Sequence, residues 1–252
     1  GIARYTANFT PSEKPLPTYV VGPSHDSYWQ NVVLALPFNT GLSDARGKTV
    51  TAYGNAAISN AEKKFGSNSC YFDGTGDYLS VAHSGDLSLS NLDFTIEGWV
   101  YFNSVSGIQA ILDPRGTTND NVCAYHITNG GSGHSGKITF AADTAAYNTD
   151  GSPWDVDLYS TTSPVINTWY HIAITRSGST WKLFINGVQE ATTTSSITVG
   201  TAAPTVYIGS GVNGAGTIGY NLNGYVDDLR ITKGIARYTA GFTPPTSANI
   251  LG

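Results

Sequence analysis

The sequence predicts an all-β protein built from two packed antiparallel sheets. Three observations carry that prediction. Charged residues make up only 12% of the 252-residue chain, which instead holds 29 Gly and 15 Tyr, a composition that suits strands and tight turns. The four glutamates are Glu13, Glu62, Glu97 and Glu190, and no long stretch carries the apolar period of a helix. Alternating apolar segments instead recur every ten or so residues between Gly-rich turns, the pattern of stacked sheets.

Four prolines fall within residues 11–24, PSEKPLPTYVVGPS. Because proline fixes φ and lacks an amide donor, this stretch reads as an extended linker. The first strand is VVLALPF, 32–38, followed by short strands at 49–53 and 56–60, then CYFDG and DYLSVA. Between these last two, residues 73–77 (DGTGD) make a turn whose glycines supply positive φ. DFTIEGWVYF, 93–102, places Phe94, Ile96, Val100 and Phe102 on one face and Thr95, Glu97, Trp99 and Tyr101 on the other. That alternation predicts one buried face. Further strands are expected at 108–113, 122–128 and 136–142. Residues 168–194 read as a three-stranded meander turning at Ser177-Gly178-Ser179 and at Asn186-Gly187. Strands at 205–210 and 225–232 complete the series, with only short helical turns elsewhere.

CYFDGTGDYLSV, DFTIEGWVYF, TWYHIAITRSGSTWKLFINGV and YVDDLRITKGIARYTAGFTPP resemble, in order and spacing, the laminin-G-like, concanavalin A-like jelly rolls. The subgroup common in bacteriophage structural and adhesion proteins is the most similar. The resemblance runs from Val32 to Pro245 and implies a jelly-roll sandwich with sheets of six or seven strands, one of them concave. It also implies that the GIARYT segment is a tail behind the last strand. The domain layout expected is a preceding tail and linker at 1–24, the jelly roll at 25–233, and a C-terminal tail at 234–252.

The chain carries its tail motif twice. Residues 1–11 (GIARYTANFTP) and 234–244 (GIARYTAGFTP) differ only at Asn8 and Gly241. Together with the absence of Met, this suggests a unit of a tandem-repeat polypeptide. Ile235, Tyr238 and Phe242, spaced by three and four, are expected to anchor the second copy through a short helical turn. Ile2, Tyr5 and Phe9 are expected to dock the first on a neighbouring copy of the unit or on this one.

Thirteen Lys and Arg against a net charge of −5 make no basic face, so nucleic acid is not an expected partner. No run of about 18 apolar residues is present to span a membrane. Cys70 and Cys123 read as small buried hydrophobes, with a bond between them left open. Enzymatic activity is not expected. The resemblance would put a Glu-x-Asp-x-x-Glu strand in a glucanase, and that pattern is absent. Glu97 stands alone in its strand and is expected to face solvent or to anchor a neighbouring loop. Asp155 and Asp157 (DVD) fall in a segment that reads as a solvated loop. His25, His83, His126, His134 and His171 are widely spaced; His171 reads as a hydrogen-bonded structural residue and His134 as a turn residue.

Two ligand expectations follow. The resemblance implies one structural calcium, with Asp227 as the matching carboxylate and Gly74 and Asn39 as partners; Asn39 replaces an acid that many relatives carry. Glycan is the expected recognition partner, because aromatic faces stack on sugar rings while amides and carboxylates bond hydroxyls. The loop 145–159 supplies Tyr147, Asn148, Asp150, Trp154 and Asp155 for this, with 116–121 as an adjacent rim; alternatively Trp154 folds back as a lid on the sheet. Trp99 and Tyr101 either line the concave face or pack under a loop. The functional expectation is a lectin-like adhesion module on a virion or cell surface. The alternative is a structural module that assembles through its GIARYT tails.

Overall fold

The computed structural model describes residues 26–82, 85–115, 125–144, 154–201, 203, 205–213 and 216–248. In chain order its strands are β1 (Val32–Leu36), β2 (Val50–Tyr53), β3 (Ala57–Ser59), β4 (Ser69–Asp73), β5 (Tyr78–Ala82) and β6 (Phe94–Phe102). They continue with β7 (Gln109–Asp113), β8 (Tyr125–Asn129), β9 (Ile138–Ala142), β10 (Val156–Tyr159), β11 (Trp169–Ser177) and β12 (Thr180–Ile185). The last five are β13 (Val188–Thr194), β14 (Thr205–Ile208), β15 (Gly211–Val212), β16 (Ile218–Gly219) and β17 (Asn223–Lys233). Among the described residues the helical content is a single 3-10 turn at Trp29–Asn31, and no helix is long and apolar enough to cross a membrane.

Two antiparallel sheets form the sandwich. The first runs β13-β12-β11-β6-β17-β4-β3, with β1 also on β17, and the second runs β10-β9-β8-β7-β14-β5-β2. The meander at 168–194 forms as predicted, and Asn186 and Gly187 at its second turn both have positive φ (50° and 78°), as a two-residue hairpin turn demands. Phe94 of the first sheet, Phe140 of the second and Trp181 of β12 meet across the core with ring centroids 5.5–6.3 Å apart. All three are fully buried, and the Trp181 indole donates to the Ser195 carbonyl at 2.8 Å. Cys70 is a free thiol in the same core, and burial pushes its ionisation well up.

The long strand β17 explains how eight strands fit into the first sheet. One of its edges pairs with β4 over Asn223–Val226 and with β1 over Leu229–Thr232, while the other edge pairs with β6 along its length. A bulge between Asp227 and Arg230 breaks the register with β6, and Asp228 takes φ 52° there. Asp tolerates the left-handed region better than most residues because its short side chain bonds locally. Opposite the bulge, a Cβ on Gly98 would lie 3.1–3.2 Å from Leu229. A glycine is what lets the two backbones close.

Three expectations need correction. All nine residues of β6 are buried, although its alternation predicted one buried face. The polar side is covered by the tail that follows β17 and by the loop before β4. Residues 156–159, read as loop, form an edge strand on β9, with Val156 and Leu158 in the core and Asp157 and Tyr159 pointing out. Residues 234–248 contain no helical turn. Hydrogen bonds to side chains of the sheet hold the tail there instead, and they replace the internal bonds that a helix would supply.

Candidate ligand-binding face

Each sheet has an outer face, and the two differ. On the first, Glu97 projects from β6 into a closed ionic cluster. Arg230 donates Nε and Nη2 to Glu97 Oε1 at 3.1 and 2.7 Å, Tyr238 OH donates to Oε2 at 2.8 Å, and His171 Nε2 lies 3.5 Å from Oε2. Burial alone would raise the Glu97 carboxyl, but His171 and the Arg230 charge overcome it and hold the group at about 2. Asp26 sits alongside, accepting from Arg230 Nη1 at 2.9 Å and from Arg237 Nη1 and Nη2 at 2.9 and 2.7 Å. Glu97 therefore does not face solvent; it anchors a neighbouring segment, the tail. Both of its oxygens are engaged, so it is not placed to attack or protonate a substrate.

The tail completes this surface. Arg237 Nε bonds Thr232 Oγ1 at 2.7 Å and its amide bonds Thr95 Oγ1 at 2.8 Å, while Thr95 Oγ1 donates to the Ile235 carbonyl at 3.0 Å. The Tyr238 and Phe242 rings stack at 3.6 Å and 5°, and both meet Phe184 edge-on. Phe242 also meets the His171 ring at 5.6 Å. Tyr238 and Phe242 thus pack their rings on the sheet, whereas half-buried Ile235 contributes its carbonyl. Ile2, Tyr5 and Phe9 lie outside the described residues. Trp99 and Tyr101 pack under cover: Lys64 Nζ lies 3.8 Å over the Trp99 ring, and Phe65 meets it edge-on at 5.8 Å.

The residues expected to hold calcium are engaged by backbone groups or lie apart along the sheet. Asp227 Oδ2 accepts the backbone amides of Lys64 and Phe65 at 2.9 and 3.1 Å, and Asn39 Oδ1 accepts that of Ser67 at 3.3 Å. Those amides compete for oxygen lone pairs that a cation would use. Gly74 packs against Asn223, four residues along β17 from Asp227, which is about 13 Å at strand rise. No group of three or more His, Cys, Asp or Glu suited to a metal occurs among the described residues. Burial raises Asp227 to about 6 in spite of its three backbone hydrogen bonds.

On the second sheet the middle strands are roofed. The β15–β16 hairpin lies over β7, where Val212 N donates to Asp113 Oδ2 at 2.9 Å and Arg115 bridges Asp113 to the Val212 carbonyl. The 130–136 turn closes over Thr128 and Thr139, whose hydroxyls bond at 2.6 Å. Trp154 is half-buried and lies edge-on to His126 at 4.6 Å, with the Arg115 guanidinium 5.9 Å away. It folds back on the sheet as a lid. Burial, with help from the Arg115 charge, pushes His126 well below the usual imidazole range, and its Nδ1 has no hydrogen-bond partner among the described residues. Asp155 accepts the Thr144 amide at 3.0 Å; Tyr147, Asn148, Asp150 and the 116–121 rim lie outside the described residues.

Beyond the lid the face opens. Tyr159 is 49% exposed and stacks on His134 at 3.9 Å and 21°; His134 Nε2 in turn meets Asp157 Oδ2 at 2.8 Å. His134 is therefore more than a turn residue. Register sets Asp157 beside Ala141 and Ala141 beside His126, so the Trp154 and Tyr159 groups share three adjacent strands, about 10 Å across. At the far edge of the sheet, Tyr53 (44% exposed) stacks on Tyr78 at 4.5 Å, and Tyr78 meets Tyr207 edge-on. Sequence reasoning missed both platforms. The Val-Asp-Leu-Tyr alternation at 156–159 was the available signal for the first.

A laminin G-type family model, described as the Concanavalin A-like lectin/glucanases superfamily, matches residues 73–235. No curated protein matches the sequence. Among solved structures, the binding domain of botulinum neurotoxin serotype D is similar with a TM-score of 0.62 at 14% identity, over 84% of this chain and 50% of that one. The binding domain of Paraclostridial Mosquitocidal Protein 1 gives 0.58 at 14%, over 83% and 50%. Domain 4 of AbnA, a GH43 extracellular arabinanase from Geobacillus stearothermophilus solved with arabinotriose, gives 0.60 at 21%, over 81% and 93%. The chain thus spans about half the length of these toxin binding domains and nearly all of the arabinanase domain.

Proposed function

The chain belongs to the concanavalin A-like lectin/glucanase superfamily, and on that footing we propose that it is a non-catalytic, lectin-like recognition module that binds glycan. The carrying observation is the Tyr159–His134–Asp157 group on the outer face of the second sheet. A tyrosine half open to solvent is held in one orientation by a stacked imidazole, which a carboxylate fixes in turn. A ring fixed before binding loses little freedom when a sugar stacks on it, and the adjacent carboxylate and imidazole supply hydroxyl partners. Trp154 borders the same surface, with Asp155 beside it. Similarity to toxin binding domains and to a domain solved with arabinotriose supports a binding role. The reading places the module on an exposed surface, virion or cell, within a larger tandem-repeat protein.

A glycan array with the full chain tests this, with Tyr159→Ala and Trp154→Ala as controls. The expected result is binding to at least one glycan class that falls about tenfold or more with Tyr159→Ala, as for removal of an aromatic anchor, at an unchanged melting temperature. Absence of binding to any glycan, or binding indifferent to both substitutions, would overturn the reading.

A further inference from the structure

The tail occupies a groove, and the groove reads its sequence. Arg237 is held by Asp26 and Thr232, Tyr238 by Glu97, and Phe242 by the Tyr238, Phe184 and His171 rings. Backbone bonds fix the register: Thr95 with Ile235 and Arg237, Lys182 Nζ with the Thr239 carbonyl at 2.6 Å, and Phe242 N with the Gly187 carbonyl at 2.9 Å. The side chains read are buried or half-buried, and the charged contacts are desolvated. Specificity of that kind is sharp, because a wrong residue leaves a buried carboxylate without its partner.

Every residue the groove reads recurs 233 positions earlier in residues 1–11: Ile2, Arg4, Tyr5, Thr6 and Phe9 stand for Ile235, Arg237, Tyr238, Thr239 and Phe242. The single difference, Asn8 for Gly241, falls where the groove tolerates a side chain. Gly241 is exposed, its φ lies outside the left-handed range, and a Cβ there would meet nothing nearer than the Gly187 carbonyl at 3.5 Å, an ordinary contact. The one substitution between the copies is thus one that the docked conformation accepts.

We infer that the groove on the outer face of the first sheet is a peptide-recognition site for the Ile-Ala-Arg-Tyr-Thr-x-x-Phe sequence, and that residues 2–11 of a second copy of this chain are its other ligand. The docking is non-covalent and joins copies head to tail through the Arg4, Tyr5 and Phe9 contacts when a groove lacks its own tail. It is independent of glycan binding, which lies on the opposite sheet.

The test compares two full-length chains by sedimentation equilibrium and thermal melting. R237A/Y238A/F242A has an open groove and an intact first copy; the second chain adds R4A/Y5A/F9A and so has no competent ligand. The expected result is self-association of the first, its weight-average mass rising with concentration to at least twice that of the monomer, while the second stays monomeric. If both are monomers of equal stability, the groove does not accept the first copy and the inference fails. If the first is monomeric yet more stable than the second, the copy folds back within one chain, which overturns the second-copy assignment. Should either variant fail to fold, a synthetic peptide of residues 1–11 is added to the six-fold variant. Recovery of β-sheet circular dichroism with this peptide and not with its R4A/Y5A/F9A form supports the inference, and no recovery with either refutes it.

Discussion

Glu97→Gln is the sharpest perturbation of the cluster under the tail, because it keeps shape and removes charge. The wild-type carboxylate accepts two bonds from Arg230 and one from Tyr238, with His171 close by. Removing one partner of a buried ion pair costs about 3–5 kcal/mol, since the remaining charge stays desolvated. Linkage gives a second route to the magnitude. The group falls from 4.5 to about 2 on folding, and 1.36 kcal/mol per pKa unit makes this about 3 kcal/mol. The two routes agree on about 3 kcal/mol, which for a chain of this size lowers Tm by about 6–12 °C. A depressed carboxylate contributes stability that is fully present above the unfolded value and lost as pH falls through the folded one. The gap between wild type and Glu97→Gln is therefore full at pH 7 and closes between about pH 4.5 and about pH 2. Differential scanning calorimetry of both proteins across that range reads it, and the difference cancels other carboxylates such as Asp26. Equal melting temperatures at pH 7, or a gap that persists unchanged at the acid end, would refute the reasoning.

Asp227→Asn is expected to leave stability at pH 7 equal or higher, by up to about 3 kcal/mol, because burial holds the wild-type carboxyl at about 6 against 3.8. The sign is opposite to that of Glu97: the advantage shrinks as pH falls through about 6 toward 3.8, and a chelator leaves the Tm of either protein unchanged, since backbone amides already bond Asp227 Oδ2 and Asn39 Oδ1. Urea titrations at three pH values, with and without chelator, check both points; a chelator-dependent loss would return calcium to Asp227. Gly187→Ala is expected to cost about 1–3 kcal/mol and to release the tail, because φ there is 78° and a Cβ would overlap the Phe242 carbonyl. Faster tryptic cleavage after Arg237 than in wild type would show it, and an unchanged cleavage rate would refute it.

The strands were legible because each needs only local information. Period-two alternation, Asn-Gly and Gly-rich turns dictate backbone geometry within a few residues, and the meander at 168–194 formed where these signals stood. The spacing of three and four also marked Ile235, Tyr238 and Phe242 as candidate anchors of the tail, and Trp154 stood out as a residue needing a partner. It could not show that Glu97 is buried. Polarity alternation reports which side of a strand faces the core, yet says nothing of what later covers the other side. That cover comes from residues 133 and 141 positions away, and only the closing of β17 beside β6 brings Arg230 and Tyr238 onto the carboxylate. The Tyr159 platform was hidden for a related reason: the Val-Asp-Leu-Tyr alternation is only four residues long and follows a Gly/Pro-rich stretch of sequence, so it reads weakly as a strand until β9 pairs with it. Local chemistry determined the elements and the ligand-like tail. Tertiary structure decided which sheet is sealed by the tail and which keeps an open aromatic edge, because burial is a property of neighbours that the chain supplies from afar.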